Sequence, residues 1–393
     1  MTRFRLEYAL PFVSVAFCAA LVWAGEGVLK DRYPTLTDPR MTGEFGMFFR
    51  VHPRLGRWHK PGFSGTYRGH VYTINLNGLR DTATPYQAAA PRRRIVMLGD
   101  SVTWGYGVDD GQTFSDVLER ALVNADVINM SVSGYGTGEE LLLLQEEGLK
   151  YAPDTVVLVF CMSNDVENTY FPESDKAAFP ANTFYLENGA LKIRPIRLFW
   201  GQRIGIAVNE RSYLANFFLK KVFPRLGLRE GAGIERRNRS TRKSMDGDLA
   251  SFGGLTYLQV DPSIAQGQPG KRSHVLPPTP ASYYKVELTK KVLKEMADVV
   301  RRSGATFVVV LSPFQSQLNP DDPAFHNPLN AELMRFFAEQ KIRAVDLLPR
   351  FLERGDDPDE IFGDNTHYSA EGHRVVAALL QELLAGVQPA GPR

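Results

Sequence analysis

The chain of 393 residues has only two cysteines, Cys18 and Cys161. A disulfide framework needs a spaced, even set and a thiolate metal site needs several ligands, so neither can hold this fold together. An excess of one charge is also lacking. The 46 Lys and Arg stand against 44 Asp and Glu, a formal +2 that is too even for a chain built around nucleic acid. There is no GxGxxG turn and no GxxxxGK[ST] loop, so the usual phosphate cradles are missing and no cofactor is expected. His52, His59 and His70 do not stand at ligand spacing, which leaves no metal to expect either. No tandem repeat is visible. What is plentiful is apolar surface. Hydrophobic residues make up 44% and aromatics 11%, enough to exclude disorder of the whole chain, and the length suits one large core with an insertion or two domains.

The first thirty residues read separately from the rest. Arg3 and Arg5 precede a stretch from Tyr8 to Ala24 without a charge, which Glu26 and Lys30 then interrupt. At about 17 residues this is short for a membrane span and long for the apolar part of a cleaved signal. Cleavage after Ala24 would want a small residue at Val22, and lipidation of Cys18 would want one at Phe17. The expectation is therefore an uncleaved signal anchor over 1–30, an N-terminal transmembrane helix with its arginines on the cytoplasmic side and the remaining chain outside.

Residues 31–92 are rich in Gly, Pro and aromatics and read as a lead-in segment packing on the main domain, with Tyr72 to Asn75 as its one β-like run and Asn77-Gly78 as a turn. From Arg93 the pattern alternates. Ile95–Leu98, Val127–Ile128, Thr155–Phe160, Thr306–Leu311 and Ala344–Val345 read as strands. Between and after them, Thr113–Val123, Glu139–Lys150, Lys285–Arg302, Ala331–Gln340 and Val375–Leu384 read as helices. Such βα repeats over 93–388 predict an α/β fold with three α/β/α layers and a mainly parallel five-stranded sheet. The alternation stops at an insertion over about 170–282. Within it, Lys220, Lys221, Arg225, Arg229, Arg236, Arg237, Arg239, Arg242 and Lys243 face only Glu230 and Glu235. Such a run suits a solvated segment or contact with anionic lipid or an acidic polysaccharide.

Parallel sheets bind ligands beyond the carboxyl ends of their strands, so the polar residues that follow strands carry the interest. These are Gly99-Asp100-Ser101, Asn129 to Gly134, Ser163-Asn164-Asp165, and Gly363-Asp364-Asn365-Thr366-His367 before the last helix. A serine hydroxyl is a weak nucleophile and needs a base, which in turn needs a group to fix its tautomer. Ser101, His367 and Asp364 can supply these parts. His373 competes with His367 as base but lies within a helical pattern. Donors for a developing oxyanion are available in the backbone N–H groups of Ser101 and Gly134 and the side-chain amide of Asn164. Trp104, Tyr106 and Tyr135 flank these positions and are candidates to stack on a substrate ring. The GxSxG elbow of another hydrolase class is absent around Ser101.

In order and context, Gly99-Asp100-Ser101, Gly134, Asn164-Asp165 and Asp364-x-x-His367 resemble the SGNH (GDSL-like) hydrolase family, whose fold is flavodoxin-like. The segment from Ile74 to Asp81 resembles the lead-in of its membrane-attached bacterial members. The resemblance implies that Ser101 is nucleophile, His367 base, Asp364 its orienter, and Ser101, Gly134 and Asn164 the oxyanion hole. One position departs from the pattern, since Met162 stands where the family carries glycine two residues before the asparagine. The expected activity is that of a serine esterase removing acyl groups, acetyl among them, from a cell-surface or exported polysaccharide. An O-acyltransferase using the same residues and a non-catalytic polysaccharide-binding or assembly protein are the alternatives. The expected location is the bacterial cytoplasmic membrane, single-pass, with the catalytic domain on the periplasmic side. Expected partners are an acylated small molecule or carbohydrate and the membrane, but no nucleic acid.

Overall fold

A computed structural model of the protein describes residues 6–32, 48–81, 84–87, 92–170, 181–196 and 280–387, together with positions 214, 217 and 218. The basic run from Lys220 to Lys243 and most of the insertion fall outside the described residues. At the N-terminus, α1 (Leu6–Arg32) is one 27-residue helix. Among the described residues no helix is long and apolar enough to cross a membrane, so the transmembrane helix expected from the sequence is not found there. The side chains of 6–17, which make up much of the uncharged run, lie outside the description.

The core is a five-stranded sheet of β5 (Arg93–Gly99), β6 (Ala125–Asn129), β7 (Thr155–Cys161), β10 (Thr306–Ser312) and β11 (Arg343–Asp346). Its order is β11-β10-β7-β5-β6 and every pairing is parallel. Side chains alternate across the sheet with the period of two that a strand dictates. Val96, Leu98, Val156, Leu158, Phe160, Val309 and Leu311 enter one buried cluster. Ile95, Met97, Val157, Val159, Val308 and Val310 enter the other. Strands covered on both faces need near-continuous Val and Leu, and that composition is what the sequence supplies.

On the first face lie α4 (Thr137–Glu146), α6 (Pro280–Arg302) and α7 (Leu329–Glu339). On the second lie α3 (Phe114–Ala121), α8 (Leu348–Arg354) and α9 (Ala370–Ala385). Two short helices, α2 (Ser101–Trp104) and α5 (Asp165–Tyr170), follow β5 and β7 directly. The chain leaves β5 toward β6 on one side and returns to β7 on the other, so the crevice between β5 and β7 is the topological switch point where such sheets bind ligands.

Outside the sheet the strands are short and antiparallel. The lead-in forms two hairpins, β1 (Phe49–His52) with β2 (Gly56–His59) and β3 (Ser64–Tyr67) with β4 (His70–Thr73). A third joins β8 (Thr183–Glu187) to β9 (Ala190–Arg194). The sequence pattern showed only the β4 region. Four-residue strands carry too few residues to display alternation, although Asn188-Gly189 between β8 and β9 is a strong hairpin signal. Phe48, Phe49, Trp58, Tyr72, Ile74 and Leu79 bury the lead-in against the first-face cluster.

Candidate active site

Ser101 is the first residue of α2, immediately beyond β5. The strand-to-helix turn depends on Gly99, where a Cβ would lie 2.1 Å from Thr103 Oγ1 and 3.1 Å from the Val159 carbonyl. Asp100 caps the helix. Its buried carboxyl accepts the Val102 N–H at 2.9 Å and the Asn164 side-chain amide at 3.0 Å, so one side chain ties the serine turn to the loop after β7.

Ser101 Oγ stands 2.8 Å from His367 Nε2, across 266 positions of sequence. His367 Nδ1 lies 2.8 and 3.0 Å from the two oxygens of Asp364. A carboxylate only accepts, so Nδ1 carries the proton and Nε2 is left to accept from the serine hydroxyl. Asp364 Oδ1 also accepts the backbone N–H groups of Thr366 and His367, each at 2.8 Å. Burial alone would raise the Asp364 carboxyl, but the His367 ring and these N–H groups outweigh it and hold it well below the usual carboxylate range.

The loop bearing both residues is held from outside. Asn365 Oδ1 accepts the Ser316 N–H at 3.1 Å and its hydroxyl at 2.8 Å, and the Asn365 carbonyl accepts the Gln315 N–H at 2.9 Å. A bridge between Phe362 and Tyr368 closes the loop's stem. His373, the rival base, is buried in α9 with Nδ1 accepting the Phe114 N–H at 3.0 Å. Burial pushes it down to about 3, so it stays neutral and serves packing.

Gly134 sits after β6 with φ of +77°, a left-handed conformation in which a side chain would be strained. Its loop is joined to the serine turn through the Val132 N–H, which donates to the Gly99 carbonyl at 3.1 Å. Asn164 follows β7, with one N–H on Asp100. Thus Ser101, Gly134 and Asn164 all follow strands at the carboxyl end of the sheet. Met162 is buried, its N–H donating to the Ser312 carbonyl at 3.1 Å.

Beneath the serine lies a group of buried acids. Glu139, Glu140 and Asp165 are shut off from solvent alongside Asp100. Burial, and then the neighbouring carboxylates, push Glu140 and Asp165 well above the usual range. Asp165 Oδ2 accepts the Cys161 N–H at 2.7 Å, whereas neither oxygen of Glu140 has a hydrogen-bond partner. Both carboxyls are thus biased toward the protonated form, Glu140 without any hydrogen bond to offset its burial.

Of the three aromatics expected to meet a substrate ring, two are corrected by the structure. Trp104 is fully buried, stacked 4.8 Å from Tyr72 and 5.8 Å from His59. Tyr135 is also fully buried, and its hydroxyl donates to the Arg57 carbonyl. Both face the lead-in layer, which fills the side of the site that the sequence left open. Tyr106 alone is partly exposed, its ring 4.5 Å from that of His367.

Sequence reasoning missed the residues that the lead-in contributes. Arg57, on β2, is buried over the Phe49 ring and donates to the Ser133 carbonyl beside Gly134. Arg80 is buried against Tyr72 and Trp104 and donates to the carbonyls of Trp104, Gly105 and Val108, just past the serine helix. An isolated arginine in a Gly-rich stretch gives no sign of such a partner. Among the described residues no cluster of His, Cys, Asp or Glu could hold a metal ion.

Residues 97–205 match the model of the GDSL-like Lipase/Acylhydrolase family, a span that holds Ser101, Gly134 and Asn164 but ends before Asp364 and His367. No curated protein sequence matches the chain. Among solved structures, the lipase/acylhydrolase from Enterococcus faecalis is similar at 16% identity and a TM-score of 0.38, covering 76% of this chain and 100% of its own. A member of the lipolytic protein G-D-S-L family from Veillonella parvula is similar at 12% identity and 0.37, with 75% and 100% covered. An acetylxylan esterase from Geobacillus stearothermophilus is similar at 11% and 0.38, with 77% and 97% covered. Over residues 97–205, from the end of the first site strand onward, the chain is thus similar to the GDSL-like lipase/acylhydrolase family.

Proposed function

We propose that the protein is a serine esterase that hydrolyses ester-linked acyl groups through an acyl-serine intermediate. The observation that carries this is the unbroken line from Ser101 Oγ to His367 Nε2 and from Nδ1 to Asp364, with 2.8 Å at each step. In this mechanism Ser101 Oγ attacks the ester carbonyl while its proton passes to Nε2, and Asp364 stabilises the imidazolium that results. The oxyanion takes hydrogen bonds from the N–H groups of Ser101 and Gly134 and from the Asn164 N–H not committed to Asp100. As the intermediate collapses, the carbonyl re-forms, the bond to the alcohol breaks and Nε2 returns the proton to the departing oxygen. Water then repeats the sequence against the acyl-serine and frees the acid.

We take the acyl donor to be an O-acylated saccharide, acetyl being the simplest group. Support comes from Tyr106, a partly exposed ring against His367, which can stack on a sugar face. We also place the enzyme at the cytoplasmic membrane, its catalytic domain outside. The support there is the Arg3 and Arg5 pair ahead of the uncharged run from 8 to 24. The test is to label the protein with a fluorophosphonate probe, map the labelled peptide, and measure acetate release in wild type and Ser101→Ala. Labelling of the Ser101 peptide and loss of release in the variant are expected; label on another peptide overturns the mechanism. Adding an oligosaccharide acceptor and following acyl transfer against release distinguishes the hydrolase from a transferase with the same residues.

A further inference from the structure

We propose that the mouth of this site is built for an acyl ester whose alcohol portion carries an anionic group, a carboxylate or a phosphate, recognised by Arg68. The inference rests on the esterase function proposed above and concerns the substrate of that same site.

Arg68 forms the tip of the β3–β4 hairpin, between Tyr67 and His70, which pair directly. Arg68 and Gly69 have φ of +50° and +87°, the two positive angles of a tight hairpin turn. Asn or Asp suits the first of these positions better than arginine, so the turn itself does not account for this side chain. The hairpin is fixed to the catalytic domain rather than projecting freely. Asp109, in the loop after the serine helix, accepts the Val71 N–H at 2.7 Å and pairs with His70 at 3.4 Å. Buried Arg80 reaches the Val71 carbonyl at 3.4 Å while holding the Trp104, Gly105 and Val108 carbonyls.

Anchored in this way, the hairpin lays the Arg68 guanidinium over two rings, 5.6 Å from Tyr67 and 5.9 Å from Tyr106. The Tyr106 ring in turn meets the His367 ring at 4.5 Å. The cation is thus one ring away from the base that activates Ser101. It is solvent-exposed and close enough to feel the Asp364 charge. Asp364 is bound to His367 and Asp109 to Val71 and His70, so both nearby carboxylates are already engaged. The guanidinium hydrogen-bonds the Tyr67 side chain, and the donors this leaves at its exposed edge can meet a carboxylate or phosphate, two bonds at a time where the fork is presented squarely. A saccharide unit whose ester lies at Ser101 can then stack on Tyr106 and present its anion to Arg68.

The experiment uses the full chain and three acetyl esters differing mainly in one group: acetylated glucuronic acid, acetylated glucuronamide and acetylated glucose 6-phosphate. Acetate release gives kcat/KM for each. The expected result is a preference of about fivefold for the anionic esters over the amide, carried by KM and weakened by added salt. In Arg68→Gln the ratio should fall to near one, and in Arg68→Lys it should fall partway. Preference for a single anion supports the inference and names that anion. Equal turnover of acid and amide by wild type overturns it, as does an Arg68→Gln variant that loses activity equally on all three esters, the signature of a merely structural arginine. Failure to turn over any of the three also overturns it. In every case fluorophosphonate labelling of Ser101 reports independently whether the esterase mechanism stands.

Discussion

The mouth and the floor of the site carry the same chemical group in opposite states. At the mouth, Asp364 is half-exposed and accepts hydrogen bonds from the His367 ring and from two backbone N–H groups, and its carboxyl is held ionised far down the pH scale. At the floor, Glu140 is sealed from water with no partner on either oxygen, and burial drives it to the protonated form. Hydration and donated hydrogen bonds, not residue type, decide the charge of a carboxyl. Only the mouth can supply the fixed anion that a catalytic imidazole needs. The floor instead surrounds Asp100, whose carboxyl accepts from the Val102 N–H and the Asn164 amide and so holds the serine turn to Asn164.

Breaking the mouth should have the largest effect. Ser101→Ala and His367→Ala should each lower kcat on an acetyl ester by about 10⁴- to 10⁶-fold, read from initial rates of acetate release. Asp364→Asn should cost about 10³- to 10⁴-fold, because the amide cannot hold Nδ1 as the protonated nitrogen; a loss below tenfold would remove Asp364 from the mechanism. Cutting the clamp between the lead-in and the serine loop should act on stability. Arg80→Met leaves several buried carbonyls without donors and should destabilise the fold by about 3 kcal/mol in urea titration.

The floor should respond to pH in a direction opposite to the mouth. Glu140 has its carboxyl raised in the folded state, so the stability this confers is complete below the ordinary glutamate range and is lost as pH rises toward the folded value. Glu140→Gln should therefore flatten the decline of Tm between mildly acidic and alkaline buffers, and an unaltered slope would assign the proton elsewhere. Asp364 has its carboxyl lowered, so its contribution is present above the ordinary aspartate range and disappears as pH falls through the folded value. The smallest change expected is from Tyr135→Phe, about 1 kcal/mol, since it removes one hydroxyl bond to the Arg57 carbonyl and leaves the packing in place.

Much of this was legible in the sequence. The Val and Leu runs marked the five sheet strands because a strand buried on both faces tolerates little else. Gly99-Asp100-Ser101 and Asp364-x-x-His367 were visible because their chemistry depends on local spacing, a turn in one case and a three-residue reach in the other. Apart from the β4 region the hairpin strands were not visible, since strands of four or five residues leave little periodicity to detect. Nor were Arg57, Arg80 and Arg68, whose partners are remote in sequence or belong to stacked rings rather than to any motif. Trp104 and Tyr135 were misplaced for the same reason: flanking a reactive residue along the chain does not say which side of it the lead-in will cover.

By itself the sequence determined the alternation of strands and helices, the glycine that permits the serine turn, and the candidate hydroxyl, imidazoles and carboxylate. Only the tertiary structure decided which histidine meets the serine, which aromatic stays in contact with water and which acids keep their protons. Periodicity and turn chemistry are properties of neighbours along the chain. Solvent exclusion and charge state arise when distant segments pack together, and no local pattern encodes that packing.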